Sequence, residues 1–256
     1  MNRALCLIRD ALVYRRAAFV SGLQAAGYAI ATTLPNPDAS DVLVIWNRYG
    51  DNETQATRFE RAGARVLVIE NGYLGKSWLG DRWFAMAVGQ HAGGGKWNVG
   101  GNERWDSLNV PLAPWRTGGT ETVILAQRGI GSQEVKSPDN WAQSVQKRIG
   151  GRVRAHPGKK EPEIPLEQDL FNASCVVTWA STAAFQALML GIPVWYDYPK
   201  WIGAIAAYPL LSYGEQGYGP RRDDEDRVQM FRNLMWAMWR ASEIEDGTAF
   251  RHLLGS

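Results

Sequence analysis

Two neighbouring segments, DVLVIWN (41–47) and RVLVIEN (65–71), limit what this chain can fold into more than any other feature. Each is apolar at nearly every position rather than at alternate positions. A strand of that kind needs cover on both of its faces. A polar helical stretch over about 52–62, closed by Gly63, separates the two. Apolar strands joined by single helices predict a parallel sheet with helices on both sides. The alternation begins earlier, with ALCLI (4–8), a helix over about 15–26 ending at Gly27, and the weaker strand YAIATTL (28–34).

From 73 to 119 the pattern breaks down into a stretch rich in Gly, Trp and Arg, with one strand expected near 83–89. A loop of that length inside a compact protein usually carries function. PLAPWRTGGT (111–120) then reads as a linker, with Pro and Gly as breakers. After it the alternation restarts. TVILAQR (122–128), RVRAHP (152–157), CVVTWA (175–180) and IPVWYD (192–197) read as strands. Helices are expected over 138–149, within PLEQDLFNA (165–173) and over 181–190. A long amphipathic helix is expected near 224–240, with Val228, Phe231, Leu234, Met235 and Met238 on one stripe, followed by a short helical segment. The economical reading is α/β, with two Rossmann-like domains facing each other across a cleft.

The bulk numbers exclude several classes. The chain has 256 residues, 45% of them hydrophobic and 21% charged, which is the composition of a globular protein. A net charge of +2 does not mark a nucleic-acid binder, though it leaves room for a local basic surface. Cys6 and Cys175 both lie in apolar runs, so they read as buried thiols of a reducing, cytoplasmic protein. No apolar run approaches a membrane span, and Arg9 and Asp10 interrupt the N-terminal run before it could serve as a signal peptide. The expectation is a protein without membrane contact, and a monomer.

In open parallel sheets, ligands bind beyond the carboxyl ends of the strands. The turn QRGIGS places Gln127, Arg128, Gly129, Gly131 and Ser132 there, with backbone N–H groups able to converge on an anion or simply to turn. Arg154 and His156 lie two residues apart at another strand end and share a side. The guanidinium fork suits phosphate, and His156 either joins it or caps the strand. Ser181 and Thr182 open the next helix, where they cap it, hold an anion, or do both. Asp197 follows the last strand. In the first half, Glu70 and then Asp10 are the carboxylates placed to act as a base. No convincing D-x-D is present, and the acids DDED (223–226) suit the start of the long helix.

RVRAHPG followed by CVVTWASTAAFQALMLGIPVWYD resembles the donor-binding half of GT-B glycosyltransferases. It is similar in particular to the capsule-polysaccharide and phage sugar-transferase branch, which pairs an R-x-HP strand end with an S-[ST]-x-A-x-x-A-L-x-x-G-x-P-V unit. The resemblance covers roughly 120–240, and VIENGYLG resembles the N-domain of the capsule group more loosely. It implies an acceptor domain over 1–116, a nucleotide-sugar domain over 117–222, and C-terminal helices over 223–256 returning across both. It implies that Arg154, Ser181 and Thr182 contact the donor diphosphate, with His156 close by. No cofactor or obligate metal is implied, and the donor is taken as a UDP-sugar. The spaced glutamates that hold the donor in many relatives are missing, and Asp197 is the nearest substitute.

For the acceptor, basic and aromatic residues are interleaved: Lys76, Arg82 and Arg104 with Trp78 and Trp97, and Arg9 and Arg48 at strand ends. Such a surface can hold a DNA backbone and stack an extruded base. With the compact length it suggests a phage-type enzyme, acting in the host cytoplasm on hydroxymethylpyrimidines in duplex DNA. A transferase for a surface or capsular polysaccharide is the alternative. A non-catalytic module binding nucleotide or nucleic acid is a third.

Overall fold

A computed structural model describes residues 2–91, 94–133, 135–158, 163–213 and 223–255. In chain order the elements are β1 (Arg3–Cys6), α1 (Arg16–Ala25), β2 (Ala29–Ala31), β3 (Val42–Trp46), α2 (Asp51–Arg61), β4 (Arg65–Asn71), β5 (Ser77–Trp78) and β6 (Asp81–Val88). They continue with α3 (Glu103–Asp106), β7 (Glu121–Leu125), α4 (Trp141–Ile149), β8 (Arg152–Arg154), α5 (Leu166–Asp169), β9 (Ala173–Thr178), α6 (Ala183–Met189), β10 (Val194–Tyr196) and β11 (Tyr208–Pro209). The last are α7 (Asp224–Met235), β12 (Met238–Arg240), α8 (Ala241–Glu245) and α9 (Thr248–Leu254). No helix among the described residues is long and apolar enough to cross a membrane.

The chain divides into two compact units, each built on its own sheet. The first holds residues 1–100, 131–134 and 235–256, and the second holds 101–130 and 135–234. The domain boundary expected at 222 falls outside the described residues. The class is α/β with Rossmann-like parallel sheets, as the apolar strands required.

In the first unit the sheet runs β12-β6-β4-β3-β1-β2, with β5 paired to β6. The continuous apolar character of β3 and β4 is accounted for residue by residue. Val42, Val44, Leu67 and Ile69 face a core cluster built with Phe19, Leu23, Phe84, Trp239 and Phe250. Leu43, Ile45, Val66 and Val68 face the opposite cluster, under Ala56 and Phe59 of α2. Each such aliphatic side chain, fully buried, contributes about 1.5–3 kcal/mol.

Two expectations fail in this unit. The sheet is parallel only over β2, β1, β3 and β4; β6 runs antiparallel to β4, and β12 antiparallel to β6. Residues 72–80 make only a short return with one small strand, and a parallel crossover needs a dozen residues or more. The helix expected over 224–240 ends at Met235. Met238–Arg240 instead completes the sheet edge, where Met86 N–H donates to Ala237 O at 2.9 Å and Met238 is wholly buried. Helical periodicity on one stripe cannot register the open edge of a sheet far back in the chain.

Arg3 and Asp41 fix the start of β1 to the segment entering β3. Arg3 Nε donates to Asp41 Oδ1 at 2.8 Å and Nη2 to Oδ2 at 2.6 Å, while Asp38 N–H donates to Oδ2 at 2.8 Å. The Arg3 hydrogen bond holds the Asp41 carboxyl below its usual range, outweighing burial. Because the folded group titrates lower than the unfolded one, its stabilisation is present above the ordinary pKa near 4 and is lost as pH falls through the folded value. Thermal melts from neutral pH to pH ~3 are expected to show this loss. Asp41→Asn is expected to flatten the acid limb and to cost about 1–3 kcal/mol at neutral pH.

In the second unit the order is β11-β10-β9-β7-β8, parallel throughout. Ile124, Cys175, Val177 and Trp195 form one face of its core with Trp141 and Val145 of α4. Gly191 ends α6 at φ 70°, and a Cβ there would sit 2.0 Å from Pro114 O. The linker is therefore laid directly on that turn, with Arg116 N–H donating to Gly191 O at 2.7 Å. Arg227, buried at 3% exposure, stacks 4.2 Å over the Trp115 ring and donates to Ala113 O at 2.9 Å, holding the linker from its other side.

Candidate functional site

The carboxyl ends of β7, β8, β9 and β10 gather most of the residues expected to meet the donor. After β9, Thr178 is wholly buried and its Oγ1 accepts from Ser181 N–H at 2.7 Å. Gln127, after β7, accepts from Ala180 N–H at 2.8 Å through Oε1. Ser181 Oγ accepts from Ala183 N–H at 3.3 Å. Side chains of the unit therefore already bond three amides at this hinge. Ser181 thus bonds the first amide of α6, and Thr182, at the N-cap position, stays exposed beside it.

Next to this hinge the charge is positive. Arg154, at the end of β8, is held by Asp169 Oδ2 through Nε and by Ile164 O through Nη2 at 3.4 Å. Asp169 also pairs with Arg152 at 3.0 Å, and Arg152 pairs with Glu121 at 2.8 Å. This chain of ion pairs fixes the direction of Arg154. His156 Nδ1 accepts from Gly158 N–H at 2.9 Å, which leaves the proton of a neutral ring on Nε2. Burial pushes the His156 pKa below its ordinary value, and the charges of Arg128 and Arg154 push it the same way. Arg128 is exposed and has no ion-pair partner among the described residues. Two guanidinium groups and a neutral imidazole N–H thus share one small region, Arg154 paired with Asp169 and Arg128 exposed beside them.

On the other side of the hinge, Asp197 Oδ2 accepts from Trp141 Nε1 at 2.7 Å, and its own N–H bonds Thr178 O at 3.0 Å. Trp179 lies against Trp141 with centroids 6.2 Å apart, and against Tyr198 at 5.6 Å. The carboxylate is thus oriented among aromatic rings. Gly129 turns with a φ of 62°, while Gly131 and Ser132 group with the first unit and not with these residues.

In the first unit, Arg9 and Asp10 are exposed after β1, and half-buried Glu70 accepts from Tyr73 OH at 3.4 Å. Arg82 donates to Asn71 Oδ1 at 2.9 Å and covers the Phe84 ring at 4.3 Å. Burial, and then the charge of Arg15, lower its pKa. Lys76 is exposed near it. Arg48 does not belong with these residues. It is 5% exposed and bonds Glu53 at 2.9 Å, Glu60 at 2.6 Å and the carbonyl of Gly89. Burial works against its charge, but Glu60 and then Glu53 outweigh burial and raise its pKa. Arg48 thus holds α2 to its sheet. Arg104 sits on α3, in the second unit rather than the first.

The tryptophans of 76–116 divide into two that are buried and three, Trp78, Trp97 and Trp115, that keep part of their surface in water. Trp83 and Trp105 are buried, and Trp105 stacks on Phe231 at 4.7 Å. Half-buried Trp97 packs against the first unit's core, and Trp78 meets Trp83 edge-on at 5.5 Å. Sequence reasoning missed Thr178, Asp169 and Trp141, the side chains that position Ser181, Arg154 and Asp197. They are joined to those residues by contacts that no local motif encodes.

No protein-family model matches the chain, and no curated protein does. Solved structures do. The β-Kdo 2,7-transferase of KpsC from Thermosulfurimonas dismutans aligns at a TM-score of 0.55 and 13% identity, covering 98% of this chain and 99% of that one. The β-Kdo 2,4-transferase of the same protein aligns at 0.49 and 12%, covering 91% and 89%. The fold is therefore one that glycosyltransferases use, from one end of the chain to the other.

Proposed function

We propose that this chain is a glycosyltransferase that uses a nucleotide-sugar donor in building a surface or capsular polysaccharide. The observation that carries the reading is the end-to-end fold match to a Kdo transferase at a TM-score of 0.55. The Arg128, Arg154 and His156 group supports it chemically. A leaving phosphate needs positive charge and N–H donors fixed before the reaction, and Asp169 and Gly158 fix two of these three groups. Asp197, held by Trp141, is proposed to orient the sugar or ribose of the donor. The fold match to a Kdo transferase favours a saccharide acceptor over a hydroxymethylpyrimidine.

Glu70 is proposed as the base at the acceptor hydroxyl, with Asp10 as the rival. The test is transfer of labelled sugar from a panel of UDP-sugars and activated Kdo to polysaccharide acceptors and to hydroxymethylated duplex DNA. Transfer to saccharide alone is expected. Transfer to DNA alone would overturn the acceptor reading, and no turnover of any donor would overturn the enzyme. Glu70→Gln is expected to lower kcat by about 100-fold with KM nearly unchanged. If Asp10→Asn causes that loss instead, the base is Asp10.

A further inference from the structure

One edge of the first unit presents aliphatic side chains to water. Leu12 is 98% exposed, Val13 56% and Leu79 54%. Leu12 and Val13 lie between β1 and α1, and Leu79 is at the turn joining β5 to β6. Arg82 ties the two segments into one surface, donating from Nη1 to Lys76 O at 3.0 Å and from Nη2 to Val13 O at 3.2 Å. The cations of these segments are Arg9, Arg15, Arg16, Lys76 and Arg82, and the carboxylates are Asp10 and Asp81. Asp81 is paired with Arg240 at 2.9 Å, which leaves the surface strongly positive.

Single exposed aliphatics are ordinary, but three on adjoining loops inside a cationic rim are not scattered. A duplex or a soluble saccharide offers such side chains nothing apolar to enter. A bilayer interface offers apolar depth and, where its lipids are anionic, phosphates at the height of the rim. We propose that this edge docks reversibly on an anionic lipid bilayer. Leu12, Val13 and Leu79 enter the acyl boundary, and Arg9, Arg15, Arg16 and Lys76 meet the headgroups, while Arg82 holds the two segments together. The absence of a spanning segment led to the expectation of no membrane contact, but peripheral docking needs no span. The proposal rests on the first unit's surface alone and is independent of the donor reading.

Flotation of the full chain with vesicles tests it. Vesicles of phosphatidylglycerol and phosphatidylethanolamine are expected to carry the protein up at low salt, and phosphatidylcholine vesicles are not. Leu12→Glu with Val13→Glu is expected to reduce the bound fraction about tenfold or more, and so is Arg9→Glu with Arg16→Glu. Both doubles should keep the parent melting temperature, and Leu79→Glu serves as a second apolar variant should either double unfold. No flotation on the anionic vesicles overturns the proposal. So does flotation unchanged in a folded Leu12/Val13 variant. Retention by duplex DNA without flotation would assign the cations to nucleic acid and overturn it equally.

Discussion

Removing Arg128 and Arg154 together is expected to cut sugar transfer by about 10³-fold or more, read as kcat/KM at subsaturating donor. Each hydrogen bond from a charged donor is worth about 1.5–3 kcal/mol, and groups aimed at developing charge act mostly on the transition state. The protein should stay folded. Arg128 is exposed, and after Arg154→Ala the Asp169 carboxylate still has Arg152 at 3.0 Å. Arg152→Ala is the control: it removes a cation from the same strand, but one committed to Glu121 and Asp169. It is expected to leave transfer within a few-fold. Equal losses in both would mean that the charge of the strand, and not its direction at the donor, is what matters. His156 adds a pH signature. Its pKa lies below the ordinary value because of burial and the neighbouring guanidinium groups, and a bound phosphate opposes the latter. Nucleotide affinity is therefore expected to rise as pH falls below about 6.5, and His156→Gln should remove the rise.

Gly22→Ala is the second large effect, and it falls on stability. Gly22 lies in α1, and a Cβ there would sit 1.7 Å from the Ile244 carbonyl oxygen and 2.9 Å from the Phe250 ring. The obstacle is backbone, so no rotamer change relieves it. Helix α8 would have to move off α1, taking Ile244 out of a core in which it is wholly buried. The cost expected is about 3 kcal/mol or more, at the upper end for overpacking. Denaturant titration of Gly22→Ala against Ala17→Gly, a change at an exposed position of the same helix, separates close packing from helix propensity. A loss below about 1 kcal/mol would show that the helices part easily.

How much could be read from sequence depends on where the physical reason for each feature lies. β3, β4 and β9 were legible because two buried faces leave an unbroken apolar run. The place of Arg154 and His156 at the end of β8 was legible because RVRAHP reads as a short strand closed by Pro157. Arg48 is also at a strand end, yet it turns inward. The available signal was Glu53 and Glu60, seven residues apart on one face of the following helix. The end of α7 was illegible because the partner of Met238–Arg240 is β6, more than a hundred residues earlier. Among the tryptophans the burial of Trp83 and Trp105 was illegible for a related reason: spacing shows that aromatic and basic residues alternate, but not which of them have a core to enter. At the Ser181 hinge, the bonds that Gln127, Thr178 and Ser181 make to the amides of Ala180, Ser181 and Ala183 were not legible, because Gln127 comes 53 residues before Ala180, at the end of another strand.

The first unit is discontinuous, and this has a consequence for synthesis. Its edge strand β12 and the helices that bring Ile244, Phe250 and Leu253 into its core come after the whole second unit in the chain. At 5–20 residues per second, about 7–28 s separate the emergence of residue 100 from that of β12. Through that interval β6 lacks its β12 partner and the faces of Phe19 and Phe84 lack part of their cover, while the second unit is being synthesised and becomes complete only at Leu234. An open edge of this kind invites pairing with another chain. The unit translated first is thus the last to close, and a nascent chain stalled near Met235 is the form of this protein most exposed to aggregation and most in need of a chaperone.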